Sequence, residues 1–195
     1  MKPRLLFGGS FDPPHQGHMS IADLAAQHHG VSSVTFIPNY VSPFKEKSIS
    51  AEHRLRMLQL CVKKPHEIWD FEINKEEASF TVDTLKYLKK RETKPLVWIV
   101  GADCLNHLHL WKDISQLLEL TRFQLITRSG VELQLPEKLK SLMGDKADHF
   151  LAGVLTLNQP YSSTHIRQSL LRSEKPEGLE DDVFRYIQEN KLYVP

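Results

Sequence analysis

Apolar and polar positions alternate in blocks along this chain, and the blocks predict strands alternating with helices. Arg4 to Gly9 reads as a short buried strand that runs into glycines. Gly17 to His29 has helical spacing, with Met19, Ile21, Leu24 and Ala25 apolar and Gly30 as its stop. Ser33 to Pro38 is β-branched and strand-like, and Ser50 to Val62 is helical with Leu55, Leu58 and Val62 on one face. Glu67 to Ile73 alternates as a strand. Thr81 to Arg91 is an amphipathic helix, and Leu96 to Val100 is a fully apolar strand meeting Gly101. A helix within Asp113 to Glu119 follows, with Asp113 as its cap and Gln116 three residues on. Phe123 to Thr127 and Gly153 to Leu157 read as strands, and Thr164 to Leu171 and Asp181 to Glu189 as helices. Val131 to Lys146 is the least regular stretch. The acidic stretch Glu174 to Asp182 reads as a solvated connection.

This alternation predicts an α/β fold: a Rossmann-like, doubly wound, mostly parallel sheet with helices on both faces. The 195 residues suit a single domain, 1–195, and bury enough surface to fold without a disulfide or metal staple. In such sheets, ligands sit beyond the carboxyl ends of the strands. Chemistry is therefore expected in the segments after the strands: Gly8-Gly9-Ser10, Asn39-Tyr40, Gly101-Ala102-Asp103 and Arg128.

Charge and composition narrow the classes. Lys and Arg total 25 against 24 Asp and Glu, a net charge of +1, which argues against holding nucleic acid by bulk electrostatics. The longest apolar run, Leu96 to Val100, is too short to span a bilayer, and the start of the chain does not read as a signal peptide. Cys61 and Cys104 are far apart and lack C-x-x-C spacing, so a reducing compartment, the cytoplasm, is expected.

The segment after the first strand reads Gly8-Gly9-Ser10-Phe11-Asp12-Pro13-Pro14-His15-Gln16-Gly17-His18. Glycine backbone, a serine hydroxyl, a helix start and two histidines three apart suit phosphate oxygens. The bland reading is a tight turn with two surface histidines. A metal site is disfavoured, because neither histidine has a carboxylate at usual ligand spacing. Ser162-Ser163-Thr164-His165-Ile166-Arg167 reads either as a capped helix with a surface arginine or as a second phosphate site. Trp111 is a stacking face or a core residue, and Thr81 a helix start or a ligand contact. His28-His29 and His107-Leu108-His109 read as structural or surface features.

The eleven-residue string closely resembles the G-G-[TS]-F-D-P-x-H-x-G-H signature of adenylyltransferases that make dinucleotide cofactors. His15 stands where the nicotinate mononucleotide branch has His and the phosphopantetheine branch usually Thr. Ile37-Pro38-Asn39, Ser79 to Leu85, Gly101 to Leu105 with Trp111, Ser162 to Arg167, and Tyr186-Ile187 with Leu192-Tyr193 are similar to further motifs of that family, in order. The chain thus resembles the bacterial-type nicotinate-nucleotide adenylyltransferases along nearly its whole length.

The resemblance implies adenylyl transfer from ATP to nicotinate mononucleotide, giving nicotinate adenine dinucleotide and pyrophosphate, with Mg²⁺ accompanying ATP and no protein-held metal. It implies catalytic roles for His15, His18, Lys45 and Arg167. It implies ATP contacts from Gly8, Gly9, Ser10, Phe11, His15, His18, Gly101, Asp103, Ser162, Ser163, Thr164 and Arg167, and mononucleotide contacts from Asn39, Lys45, Thr81, Asp83 and Trp111. Helices at about 163–190 would complete the ATP site. Small molecules are the expected partners, with no nucleic acid or membrane, in a monomer or homodimer. Phe44 and Tyr161 depart from the family's usual His and Ile. The alternatives are the amide mononucleotide or another phosphate acceptor, a non-catalytic ATP-binding module, and a metal-dependent hydrolase built on the histidines.

Overall fold

The computed structural model describes residues 1–43, 49–127, 134–144 and 153–194. Its six strands are β1 (Arg4–Gly9), β2 (Val34–Pro38), β3 (Glu67–Ile68), β4 (Leu96–Gly101), β5 (Arg122–Thr127) and β6 (Val154–Thr156). The described helices are α1 (Gln16–His29), α2 (Ala51–Cys61), α3 (Thr81–Lys89), α4 (Leu105–Leu108), α5 (Ile114–Leu120), α6 (Glu137–Met143), α7 (Ser163–Leu171) and α8 (Asp181–Glu189). The strands form one sheet in the order β3-β2-β1-β4-β5-β6, and every pairing is parallel. The chain steps outward from β1 to β3, then returns to lay β4 beside β1. The direction of winding therefore reverses between β1 and β4, the place where such sheets open a crevice.

Alternation along the central strands splits the core into two faces. Leu6, Leu96, Trp98 and Val100 point to one side with Val82 and Leu85 of α3, Leu117 of α5 and Leu139 of α6. Leu5, Phe7, Val97 and Ile99 point to the other with Ala22, Ala25 and Ala26 of α1 and Leu58 of α2. A continuous apolar run such as β4 is what a strand covered on both faces requires. A third cluster joins Met57 and Cys61 of α2 to Ile166 and Leu170 of α7 and Val183 and Ile187 of α8. The last two helices are thereby held to the body through α2. None of the described helices is long and apolar enough to cross a membrane.

Several expectations need correction. The strand expected over Glu67 to Ile73 stops at Ile68. Beyond it, Trp69 and Phe71 stack at 4.6 Å between centroids, and Phe71 lies 4.3 Å from Tyr87 of α3. Aromatic packing on a helix replaces the strand ladder there. Helix α6 occupies part of the stretch read as irregular, burying Leu139 and Met143 at i,i+4 after Pro136. Asp113 stands at the start of α5, but with φ 51° its side chain makes no cap bond. Its carboxylate instead lies 3.7 Å from Lys86. The connection Glu174 to Asp182 is acidic and largely exposed, yet it buries Leu179, and the Gly178 carbonyl accepts from the Gln16 amide that begins α1.

Candidate active site

A cleft of about 790 Å³ opens at the carboxyl ends of β1 and β4, where the winding reverses. Its floor is Gly8 and Gly9. A Cβ on Gly8 would stand 2.1 Å from the Trp98 ring, so the strand packs this closely only because the position is glycine. The chain then turns through Phe11, buried with φ 49°, and Asp12, also buried.

His15 and His18 cap α1 reciprocally. The amide of His15 donates to Nδ1 of His18 at 3.2 Å, and the amide of His18 donates to the carbonyl of His15 at 2.9 Å. Their rings lie 3.8 Å apart, with His15 buried and His18 partly exposed. An accepting Nδ1 puts the proton of the neutral His18 ring on Nε2. Phe11 holds that ring from the side, with centroids 5.1 Å apart. Gly17 leaves room for His15, since a Cβ there would meet its ring at 2.9 Å.

Helix α7 forms the facing wall. Ser162 caps it, accepting from the His165 amide at 3.2 Å. Ser163 Oγ donates to the Pro13 carbonyl, and Arg167 Nη1 to the Asp12 carbonyl at 2.7 Å. Both phosphate-type motifs of the sequence are thus tied together. Tyr161 packs its ring over Gly178, where a Cβ would stand 2.4 Å away. From farther along the chain, the hydroxyl of Tyr193 donates to the Asp12 carboxylate. Burial and that neighbouring negative charge both push the Tyr193 hydroxyl's pKa upward.

The other end of the cleft is lined by Ser79, Phe80, Thr81, Trp111 and Lys112. Phe80 is the residue before α3 and Thr81 its first turn, while Trp111 also packs against the core. Gly101 lines the cleft with open space above it. Asn39 lines it too, but its side chain is spent on the frame: Nδ2 donates to Ser10 Oγ and Oδ1 accepts from Arg54. Asp83 is not among the lining residues, and its carboxylate holds Lys112 at 3.0 Å. Lys45, Phe44 and Arg128 lie outside the described residues, as does the side chain of Asp103.

Besides Lys112, the sequence reading missed Arg54, which frames this site, and Glu72, which lines it. Arg54 of α2 is 1% exposed and donates to four carbonyls, those of Ser10, Asn39, Tyr40 and Ile49. It clamps the loops after β1 and β2, and burial lowers its pKa. Glu72, 6% exposed, accepts from Thr84 at 2.6 Å, and burial raises its carboxyl pKa. The only sequence signal for either was a charged residue on an otherwise apolar or paired face, which side-chain type alone does not distinguish from a solvated one.

The cytidylyltransferase-like family model matches residues 6–169, a span holding both phosphate-type motifs. The nicotinate-nucleotide adenylyltransferase of Bacillus subtilis is 32% identical over 200 residues, covering 99% of both chains. A protein of Pseudoalteromonas atlantica named "Probable nicotinate-nucleotide adenylyltransferase" is 34% identical over 214 residues, covering 100% of this chain and 97% of that one. This chain belongs to the nicotinate-nucleotide adenylyltransferase family. The fold agrees: the solved Plasmodium falciparum nicotinic acid mononucleotide adenylyltransferase, complexed with NaAD, superposes with a TM-score of 0.76 at 18% identity, covering 99% of this chain and 98% of that one. For a family of nucleotidyltransferases, two helix starts facing one cleft across a glycine floor make a coherent anion site.

Proposed function

We propose that the protein transfers the adenylyl group of ATP to nicotinate mononucleotide, yielding nicotinate adenine dinucleotide and pyrophosphate in NAD biosynthesis. The observation that carries this reading is the single cleft that joins the α1 and α7 starts at one end to Thr81 and Trp111 at the other. A phosphate oxygen of the mononucleotide attacks the α-phosphorus of ATP. The new P–O bond forms as the bond to the β-phosphate oxygen breaks, and pyrophosphate leaves with the electron pair. The nucleophile is already an anion, so the protein needs to position it and to stabilise charge at phosphorus.

His18 Nε2–H donates to an α-phosphate oxygen, with His15 and the α1 amides beside it. Arg167 and the Ser162–Thr164 turn take the β- and γ-phosphates, and Lys45 bridges the reacting phosphates. Gly8 to Phe11, Gly101 and Asp103 complete the ATP contacts. Thr81 and Trp111 hold the mononucleotide, with the pyridine ring on the Trp111 face, and Asn39 shapes this part of the cleft through its bonds to Ser10 and Arg54. Asp83 belongs to this end through Lys112 rather than by lining the cleft. Among the described residues no group of three or more His, Cys, Asp or Glu side chains could hold a metal ion. Mg²⁺ would accompany ATP, held mainly by phosphate and water, and would supply positive charge at the triphosphate. We further assign residues 1–195 to one cytoplasmic catalytic unit.

Pyrophosphate release, measured with ATP and each mononucleotide, tests the reading. Turnover with the acid and a clear preference over the amide are expected; preference for the amide, or ATP binding without release, would sink it. The His18→Ala variant should lose about 10²–10³-fold in kcat, while its Tm falls by only a few degrees, as expected for loss of about 1 kcal/mol of capping.

A further inference from the structure

Lys112 is the Lys or Arg side chain at the Trp111 end of the cleft among the described residues, and nothing in the family motifs accounts for it. It follows Trp111 in the turn between α4 and α5, and both residues line the cleft. Its Nζ lies 3.0 Å from Asp83 Oδ2 in the first turn of α3, and 4.5 Å from the centroid of the Phe80 ring. Phe80 is the residue before that helix, so the ammonium stands beside the helix start that Thr81 opens. The neighbouring Asp113 reaches Lys86 of α3 in the same way, so the Trp111–Asp113 turn is strapped to α3 at two points. The other described Lys or Arg in the cleft, Arg167, is at the far wall on α7 and bonded to the Asp12 carbonyl.

We propose that Lys112 is the residue that distinguishes an acid from an amide on the pyridine ring, its ammonium pairing with the substrate carboxylate. This rests on the reading that the ring lies against Trp111. A helix start offers only partial positive charge, and its amides donate to an amide carbonyl as well as to a carboxylate. The ammonium separates them: the acid adds its carboxylate as a second anionic partner beside Asp83, whereas the amide brings no charge to Lys112. Asp83 and the Phe80 ring hold the flexible lysine over the cleft, which lowers the entropy cost of recruiting it. Its side chain is 45% exposed, so the discrimination is graded and screened by salt.

The test is the ratio of kcat/KM for nicotinate mononucleotide to that for nicotinamide mononucleotide, in the wild type, Lys112→Met and Lys112→Arg. Lys112→Met should lower the ratio about tenfold, chiefly through KM for the acid, with KM for ATP unchanged; Lys112→Arg should keep most of it. Raising NaCl from about 0.05 to about 0.5 M should shrink the wild-type ratio and leave that of Lys112→Met nearly constant. Calorimetric binding of the acid mononucleotide gives the same comparison without turnover. An unchanged ratio in Lys112→Met overturns the inference even if the wild type prefers the acid. A wild type that acts on neither mononucleotide overturns the reaction assignment instead, and the two failures are separate.

Discussion

Individual side chains in this cleft work by closeness as much as by charge. Gly8 shows this most directly. Its Cα sits under the Trp98 ring, so Gly8→Ala forces a methyl group to 2.1 Å from aromatic carbon. Neither the strand backbone nor the buried indole can give way freely. We expect a loss of about 1–3 kcal/mol of stability from overpacking, read as a lower denaturation midpoint, with reduced ATP affinity as the floor shifts. Gly101, at the matching end of β4, has nothing within 4 Å of where a methyl group would stand, so Gly101→Ala should leave stability nearly unchanged. The two glycines look alike in the sequence, and only the packing above them separates a required glycine from a permitted one. Arg54 teaches the same lesson from the polar side. Its guanidinium is buried among four carbonyls, three from the segments after β1 and β2 and one, that of Ile49, from the segment leading into α2.

Among the elements, α3 and the turn that precedes it concentrate the buried chemistry away from the α1 and α7 end of the cleft. Glu72 is held by the Thr84 hydroxyl at 2.6 Å, and burial raises its pKa above the reference 4.5. A raised folded-state value means the folded protein binds the proton more tightly than the unfolded chain. The resulting stabilisation is complete below the unfolded value and is lost as pH rises through the folded one. Denaturant unfolding of wild type and Glu72→Gln across that range should therefore show the wild type losing stability relative to the variant as pH rises from about 4.5. A constant difference between the two proteins would contradict it. Helix identity was legible for α1, α2, α3, α5, α7 and α8 from apolar spacing and end signals, although the buried face of α2 runs through Arg54, Met57, Leu58 and Cys61 rather than Leu55 and Val62. It was not legible for α4 or α6, whose single turns or pairs of apolar positions are too short to show a period. The truncated β3 failed for a different reason: aromatic stacking on α3 outcompeted the ladder its alternation suggested.

Across the whole molecule, distant segments meet at Asp12. Its carbonyl accepts from Arg167 and its carboxylate from Tyr193, joining the first loop to α7 and to the segment after α8. Tyr193→Phe removes one donor and leaves a buried carboxylate less satisfied, which should cost about 1–3 kcal/mol. Thermal unfolding should register that loss, and kcat/KM for ATP should fall with it, because the same loop carries the glycines and histidines. The +1 net charge conceals this arrangement. Among the described residues, the carboxylates of Asp12 and Glu72 line the cleft with the cations, the first engaged by Tyr193 and the second pushed toward its neutral form. Chain order by itself determined the alternation of strands and helices, the parallel sheet and the two phosphate-type motifs, because these depend on local periodicity and on residue types a few positions apart. The tertiary structure alone decided which charged side chains are buried, which glycines are indispensable and that Lys112 rather than Asp83 faces the cleft. Those outcomes depend on packing between residues tens of positions apart, and no local pattern records it.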